Sequence, residues 1–135
     1  MAITFSVPGD PVPQPRARVV VRQGKPHGYV PSEHPIHAYR AAIAAAAIAA
    51  GAKPIERAPL TMVIDWVFVR PKSHFNKDGT LKPGKPIMPR ADNKNLLSGV
   101  EDALNGIAYQ DDGQIGRHVM ERTWGTQGRT TVRIT

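Results

Sequence analysis

At 135 residues the chain has the length of one domain, and with 41% hydrophobic residues it can bury a single modest core. Eighteen Lys and Arg against 11 Asp and Glu leave a net charge of +7, which favours a polyanionic partner, either nucleic acid or an acidic membrane surface. The absence of cysteine excludes disulfides, thiolate zinc sites and a cysteine nucleophile, so a metal would be held by carboxylates, imidazoles or carbonyls, which points towards hard ions such as magnesium.

The opening Met1-Ala2-Ile3-Thr4-Phe5 has no basic stretch followed by an apolar run, and no segment approaches the ~20 apolar residues that span a bilayer, so a soluble, unexported protein is expected. Residues 3–7 alternate apolar and polar and meet Pro8-Gly9-Asp10-Pro11, a strand closed by a turn. Residues 16–22 hold the β-branched run Val19-Val20-Val21. The segment 23–28 separates that run from Tyr29-Val30, as in a strongly basic hairpin arm. Ser32 and Pro35 mark the start of a helix over 36–50 whose alanine run has high helix propensity. Its Ile43 and Ile48 bury little alone, so close packing through alanines is expected, with Gly51 as the stop.

Residues 60–70 form the clearest strand. Val63, Val67 and Val69 lie on one face and Met62, Ile64, Trp66 and Phe68 on the other, which argues for a central strand. Residues 71–91 are a loop rich in Pro, Gly and Lys, and loops of this length are usually functional or disordered. Asp92 can cap a helix over 93–105, where Leu96, Leu97, Val100, Ala103, Leu104 and Ile107 recur at three and four residue spacing before Gly106 stops it. Two strands over 114–123 and 130–135, joined by Trp124-Gly125-Thr126-Gln127-Gly128, read as a hairpin. The order is that of an α+β fold: a small mixed sheet packed with two main helices, in a single domain over 1–135.

The stretch from Arg90-Ala91-Asp92-Asn93-Lys94-Asn95-Leu96 through Asp102-Ala103-Leu104-Asn105-Gly106 to Asp111-Asp112-Gly113-Gln114-Ile115 resembles the signature of the RusA family of Holliday-junction resolvases. That family reads D-x-D-N-L-x-K at a helix start, D-A-L-N-G at its end and D-D-x-Q-[VI] at the next strand. Weaker likeness extends to Pro13-Gln14-Pro15-Arg16-Ala17-Arg18, Tyr39-Arg40 and Arg70-Pro71. The resemblance implies a homodimeric endodeoxyribonuclease of the bacterial or phage-infected cytoplasm, acting on four-way junctions and other branched DNA with magnesium or manganese. It implies Asp92, Asp111 and Asp112 as metal ligands, with Asp92 and Asp112 in the catalytic centre; Lys94 is either a solvated helix residue or a catalytic point charge at the scissile phosphate. Arg16, Arg18, Arg22, Lys82, Lys85 and Arg90 are expected to meet DNA phosphates.

Two positions depart from the family pattern. In the gapless register Lys94 stands where the second aspartate belongs and Ser98 where the lysine belongs, four residues apart on one helix face. A shifted register, with Asp92-Asn93 on the second half of the motif, needs a two-residue break in an otherwise continuous match. Phosphodiester hydrolysis needs charge neutralisation at the phosphate, so losing one acid opens a second expectation: a protein of the same fold that binds branched DNA without cutting it. A third is a basic structural protein of a nucleoprotein assembly.

Ordinary roles stand beside these. Asp92 alone is a helix cap, Asp111-Asp112-Gly113 alone a turn, and Asp102 a support for the helix surface. A helix of about 13 residues is about 20 Å long and the link from Gly106 to Asp112 reaches at most about 20 Å, so a meeting of Asp92 with Asp112 in one chain is just feasible. Glu101 is a weaker substitute ligand. The five histidines, His27, His34, His37, His74 and His118, follow no recognised ligand spacing, and His34 and His37 read as surface at a helix start.

Overall fold

The structure is a computed structural model, and it describes residues 2–135. Four strands form the main sheet in the order β1 (Ile3–Pro8), β6 (Arg129–Ile134), β4 (Leu60–Val69), β5 (Ile115–Gly125). β6 runs antiparallel to both of its neighbours, whereas β5 runs parallel to β4. The remaining strands, β2 (Arg18–Arg22) and β3 (Lys25–Tyr29), form a separate two-stranded arm. Two helices, α1 (Ile36–Ala49) and α2 (Asn93–Leu104), complete the expected α+β architecture.

The strand pleat puts matched rows of side chains on one face. Phe5, Val132, Ile64 and Met120 make one row, and Val7, Thr130, Trp66 and Arg122 make the next. This face buries Met62, Ile64, Trp66, Val132 and Ile134, together with Ile36 and Ile43 of α1 and Leu96 and Val100 of α2. On the opposite face Val63 and Val67 are only half-buried and Val69 is exposed. β4 is central, as its two apolar faces predict, yet one of those faces is only partly covered by the described residues.

The last two strands do not form the expected hairpin. They flank β4 on opposite sides, and the short 126–128 link passes around its end. Glycines permit that passage: a Cβ on Gly125 would collide with Val67, and one on Gly128 would come within 2.5 Å of the Asp10 backbone nitrogen. The arrangement pairs both edges of the most apolar strand, which a hairpin would have left half open.

In α1 the buried residues are Ile36, Tyr39, Ile43 and Ala47, a stripe of helical period. Ile48, expected to help pack this helix, is instead 61% exposed, and Ile36 takes the core position. Ser32 does not cap the helix; His34 Nδ1 accepts from the Ile36 N–H at 3.0 Å. The Tyr39 hydroxyl meets Thr130 Oγ1 in the core and ties the helix to β6. Burial pushes its phenol up to about 12.

Candidate nucleic-acid interface and carboxylate site

α2 carries most of the motif residues, from its N-cap to its C-terminal end. Asp92 sits at its N-cap and accepts from the Lys94 N–H at 2.6 Å, as the cap reading predicts. Lys94 is exposed, and Ser98 Oγ donates to the Lys94 carbonyl at 3.0 Å, so the two departures from the family pattern do share one face. Gly99 carries no side chain because a Cβ there would lie 3.2 Å from Ile36 Cδ1, and this close approach seats α2 on α1.

The helix lies along β5 in the opposite direction. His118, Met120, Arg122 and Trp124 alternate on the side of β5 that faces it. Glu101 Oε2 stands 3.5 Å from His118 Nε2, and Arg122 Nη1 donates to Asn93 Oδ1 at 2.6 Å. Eight residues of helix and four of strand both span about 12 to 13 Å, which is why the two contacts coexist.

This register separates the expected metal ligands. At the C-terminal end, Asn105 Oδ1 accepts from the Asp112 N–H at 3.1 Å, and Asn105 Nδ2 donates to Asp112 Oδ2 at 3.3 Å. Gln114 pins the same turn with its whole amide: Oε1 accepts from the Gln110 and Asp111 N–H groups, and Nε2 donates to the Ile55 and Ala58 carbonyls. Asp111 and Asp112 therefore stand at the far end of α2 from Asp92, about 18 Å of helix away. The single-chain meeting that chain length permits is not made. No three His, Asp or Glu side chains among the described residues are grouped to hold a metal ion. Within one chain the residues do not fit the implied ligand set.

Carboxylates gather at the C-terminal end instead. Burial, and next the charge of Asp112, push the Glu101 carboxyl above its ordinary value, while His118 pulls it down and Asp102 adds to the rise. Acids at a helix C-terminus also oppose the helix dipole. Asp102 accepts from Gln14 Nε2 at 2.9 Å, and the Gln14 N–H donates to the Asn95 carbonyl at 3.0 Å. Asp102 thus anchors the Pro13-Gln14-Pro15 segment that leads into the arm, the supporting role expected of it.

The arm turns tightly at Gln23 and Gly24, both at positive φ, so residues 25–28 are strand rather than the longer connection expected. Its pairing puts Arg18, Arg22, Lys25, His27 and Tyr29 on one face and Val19, Val21, Pro26 and Gly28 on the other. Arg16, Arg18, Arg22 and Lys25 are all exposed. Val19 and Val21 are 68% and 71% exposed, so no described residue covers the apolar face.

Residues 71–91 are ordered despite their length. Arg122 Nε donates to the Pro89 carbonyl, and Arg70 Nη1 and Trp124 Nε1 both donate to the Pro86 carbonyl. Arg70 stacks 4.8 Å from the centre of the Trp124 ring. These contacts bring Lys82, Lys85 and Arg90 around His74, where burial and then Lys85, Arg70, Arg90 and Lys82 lower the imidazole pKa. Sequence reasoning missed the parts played by His74, His118, Arg122 and Trp124. The period-two row from His118 to Trp124 was the available signal, and the expectation that Trp124 begins a hairpin loop hid its end.

Cations on the arm and the 71–91 loop, with carboxylates at the end of α2, describe a small basic α+β domain. Among the described residues no helix is long and apolar enough to cross a membrane. Residues 8–135 match the family model described as Endodeoxyribonuclease RusA, and the chain belongs to that family. It is also similar to the uncharacterized protein YqaN of Bacillus subtilis (strain 168), 29% identical over 140 residues that cover 98% of this chain and 94% of that protein.

Proposed function

We propose that the protein is a structure-specific endodeoxyribonuclease that cuts Holliday junctions and other branched DNA as a homodimer in the cytoplasm of a bacterial or phage-infected cell. The family match across residues 8–135 carries this reading. The arm and the 71–91 loop support it by presenting Arg16, Arg18, Arg22, Lys82, Lys85 and Arg90 without carboxylate partners among the described residues. Lys94, in the exposed first turn of α2, belongs to the same basic end and is assigned to the scissile phosphate as a point charge.

The proposal includes a magnesium or manganese requirement. A cation shared by Asp92 and the Asp111-Asp112 pair then draws on two chains, because α2 holds these residues apart within one. Half-covered and exposed valines on the open face of β4 and on the arm are apolar surface available for that dimer.

A second reading, a protein that binds branched DNA without cutting it, is favoured by two observations: lysine at position 94, and no three-ligand group among the described residues. One assay separates the two. Labelled four-way junction is incubated with the protein and magnesium or manganese, and both retardation and cleavage are read. Symmetric nicks across the junction support the enzyme; tight retardation with no cleavage under either ion establishes the binding protein.

A further inference from the structure

The 71–91 loop frames an open cleft of about 400 Å³ against the end of β5, within the size range of small-ligand sites. Its walls include Pro71, His74, Lys85, Pro86, Arg90 and Trp124. We propose that this cavity receives one unstacked nucleotide of a DNA strand, its phosphate held by Lys85 and Arg90 and its base against the His74 and Trp124 rings. The inference rests on the DNA-acting reading above and adds what the loop recognises.

Three features carry it. The first is charge: four cations, Arg70, Lys82, Lys85 and Arg90, converge on His74. None of the four is within salt-bridge distance of a carboxylate among the described residues, where the one close acid–base contact is Glu101 with His118. Such a cavity attracts an anion.

The second feature is shape. His74 meets Trp124 edge to face, with centroids 5.8 Å apart and planes at 84°, and prolines complete the wall. Flat rings and prolines suit a planar heterocycle, whereas a bare phosphate would need only the cations. The third is rigidity: Pro86 accepts from Arg70 and Trp124 at 2.9 and 3.1 Å, which fixes the neighbouring Lys85 backbone before any ligand arrives.

Position explains why this matters. Arg90 lies two residues before Asp92, and Arg122 ties Pro89 to the first turn of α2. A continuous duplex stacks every base between two neighbours, whereas stacking is interrupted at a branch point and a base there is easier to turn out. The cavity therefore discriminates branched from linear DNA at little energetic expense, since a base at a branch is already partly unstacked.

Intrinsic fluorescence of the full-length protein tests this directly. The chain has two tryptophans, and Trp66 is fully buried in the core, so a ligand-dependent change reports Trp124. The protein is titrated with a four-way junction, a blunt duplex of the same strands, a single-stranded thymine oligomer, thymidine monophosphate and inorganic phosphate, with binding followed separately by anisotropy of labelled DNA. Junction and thymine oligomer are expected to quench emission, and bound duplex to leave it unchanged. Thymidine monophosphate should quench weakly, at higher concentration. Trp124→Phe should abolish the response while core emission remains. Lys85→Ala with Arg90→Ala should weaken junction binding about tenfold more than duplex binding, a difference of about 1.4 kcal/mol.

Equal quenching by bound duplex and junction overturns base recognition, and full quenching by phosphate alone reduces the cavity to an anion site, which also overturns it. Junction that binds without quenching rejects the cavity while leaving the DNA-acting reading intact. Failure of the junction to bind at all overturns that reading, and the cavity proposal with it.

Discussion

Glu101 of α2 and His118 of β5 meet with Oε2 and Nε2 3.5 Å apart, and the contact fixes which end of the helix lies over which end of the strand. Burial raises the Glu101 carboxyl first and Asp112 second, with His118 opposing. A raised folded-state value means that this residue's contribution is fully present below the unfolded value and is lost as pH rises through the folded one. Glu101→Gln should therefore melt higher than the parent at neutral pH, with the gap closing on acidification through the carboxylate range. Thermal melts of both proteins across pH check this. A variant that melts lower at neutral pH would show that the His118 contact outweighs burial.

The arm makes few contacts with the body, so its charges can be removed without unfolding it. Arg18→Ala, Arg22→Ala and Lys25→Ala together should leave the melting temperature nearly unchanged while weakening junction binding. Each lost phosphate contact should lower the slope of log affinity against log salt by about 0.9. Binding isotherms at several salt concentrations give the slope; an unchanged slope removes the arm from the interface.

Tyr39 and Thr130 share a hydrogen bond in the core, with Thr130 fully buried. Tyr39→Phe leaves the threonine hydroxyl without this partner, at an expected cost of about 1 to 3 kcal/mol. Adding Thr130→Val removes the orphaned group, so the double variant should be less destabilised than the two single effects summed. Denaturant unfolding of the four proteins completes the cycle, and strict additivity would mean the bond contributes nothing.

Asp92 and Asp112 are separated by the length of α2, which gives the proposed nuclease a distinctive complementation pattern. Asp92→Asn and Asp112→Asn should each abolish cutting while junction binding survives, and Asp102→Asn should matter less. Allowing the two inactive proteins to exchange subunits should restore part of the activity, because one composite site in a mixed dimer keeps both native residues. Confirmed exchange without recovered cleavage would mean that each site draws its ligands from one chain or does not use both residues.

Lys94 opposes the positive end of the helix dipole, and the first turn holds no acid to balance it. Lys94→Asp should raise stability by about 0.3 to 1 kcal/mol whatever its effect on cutting. Combined with Ser98→Lys it restores the family's acid and base on one face and takes the net charge from +7 to +6. Junction cleavage in single-turnover conditions should then rise at least about tenfold, equivalent to about 1.4 kcal/mol, with Lys94→Ala recovering less. No gain in a folded, DNA-binding double variant would mean that Lys94 already belongs to a working site or that the gapless register is wrong.

The local signals for β4 and α2 were sound because each depends on a few neighbouring residues. Alternation marked β4, a three and four residue repeat marked α2, and Asp92 and Gly106 marked its ends. The motif from Asp92 to Gln114 was enough to identify the family. Partner choice was not encoded locally: β5 and β6 look like hairpin strands until β4, the strand with the most apolar surface, takes the place between them. The same limit applies to the site. A motif groups Asp92 with Asp112 as one ligand set, but a hydrogen-bonded helix is rigid and keeps them about 18 Å apart within one chain. Histidines without a recognised spacing, meanwhile, acquired their neighbours Glu101 and Trp124 only when long-range burial laid α2 and the loop along β5.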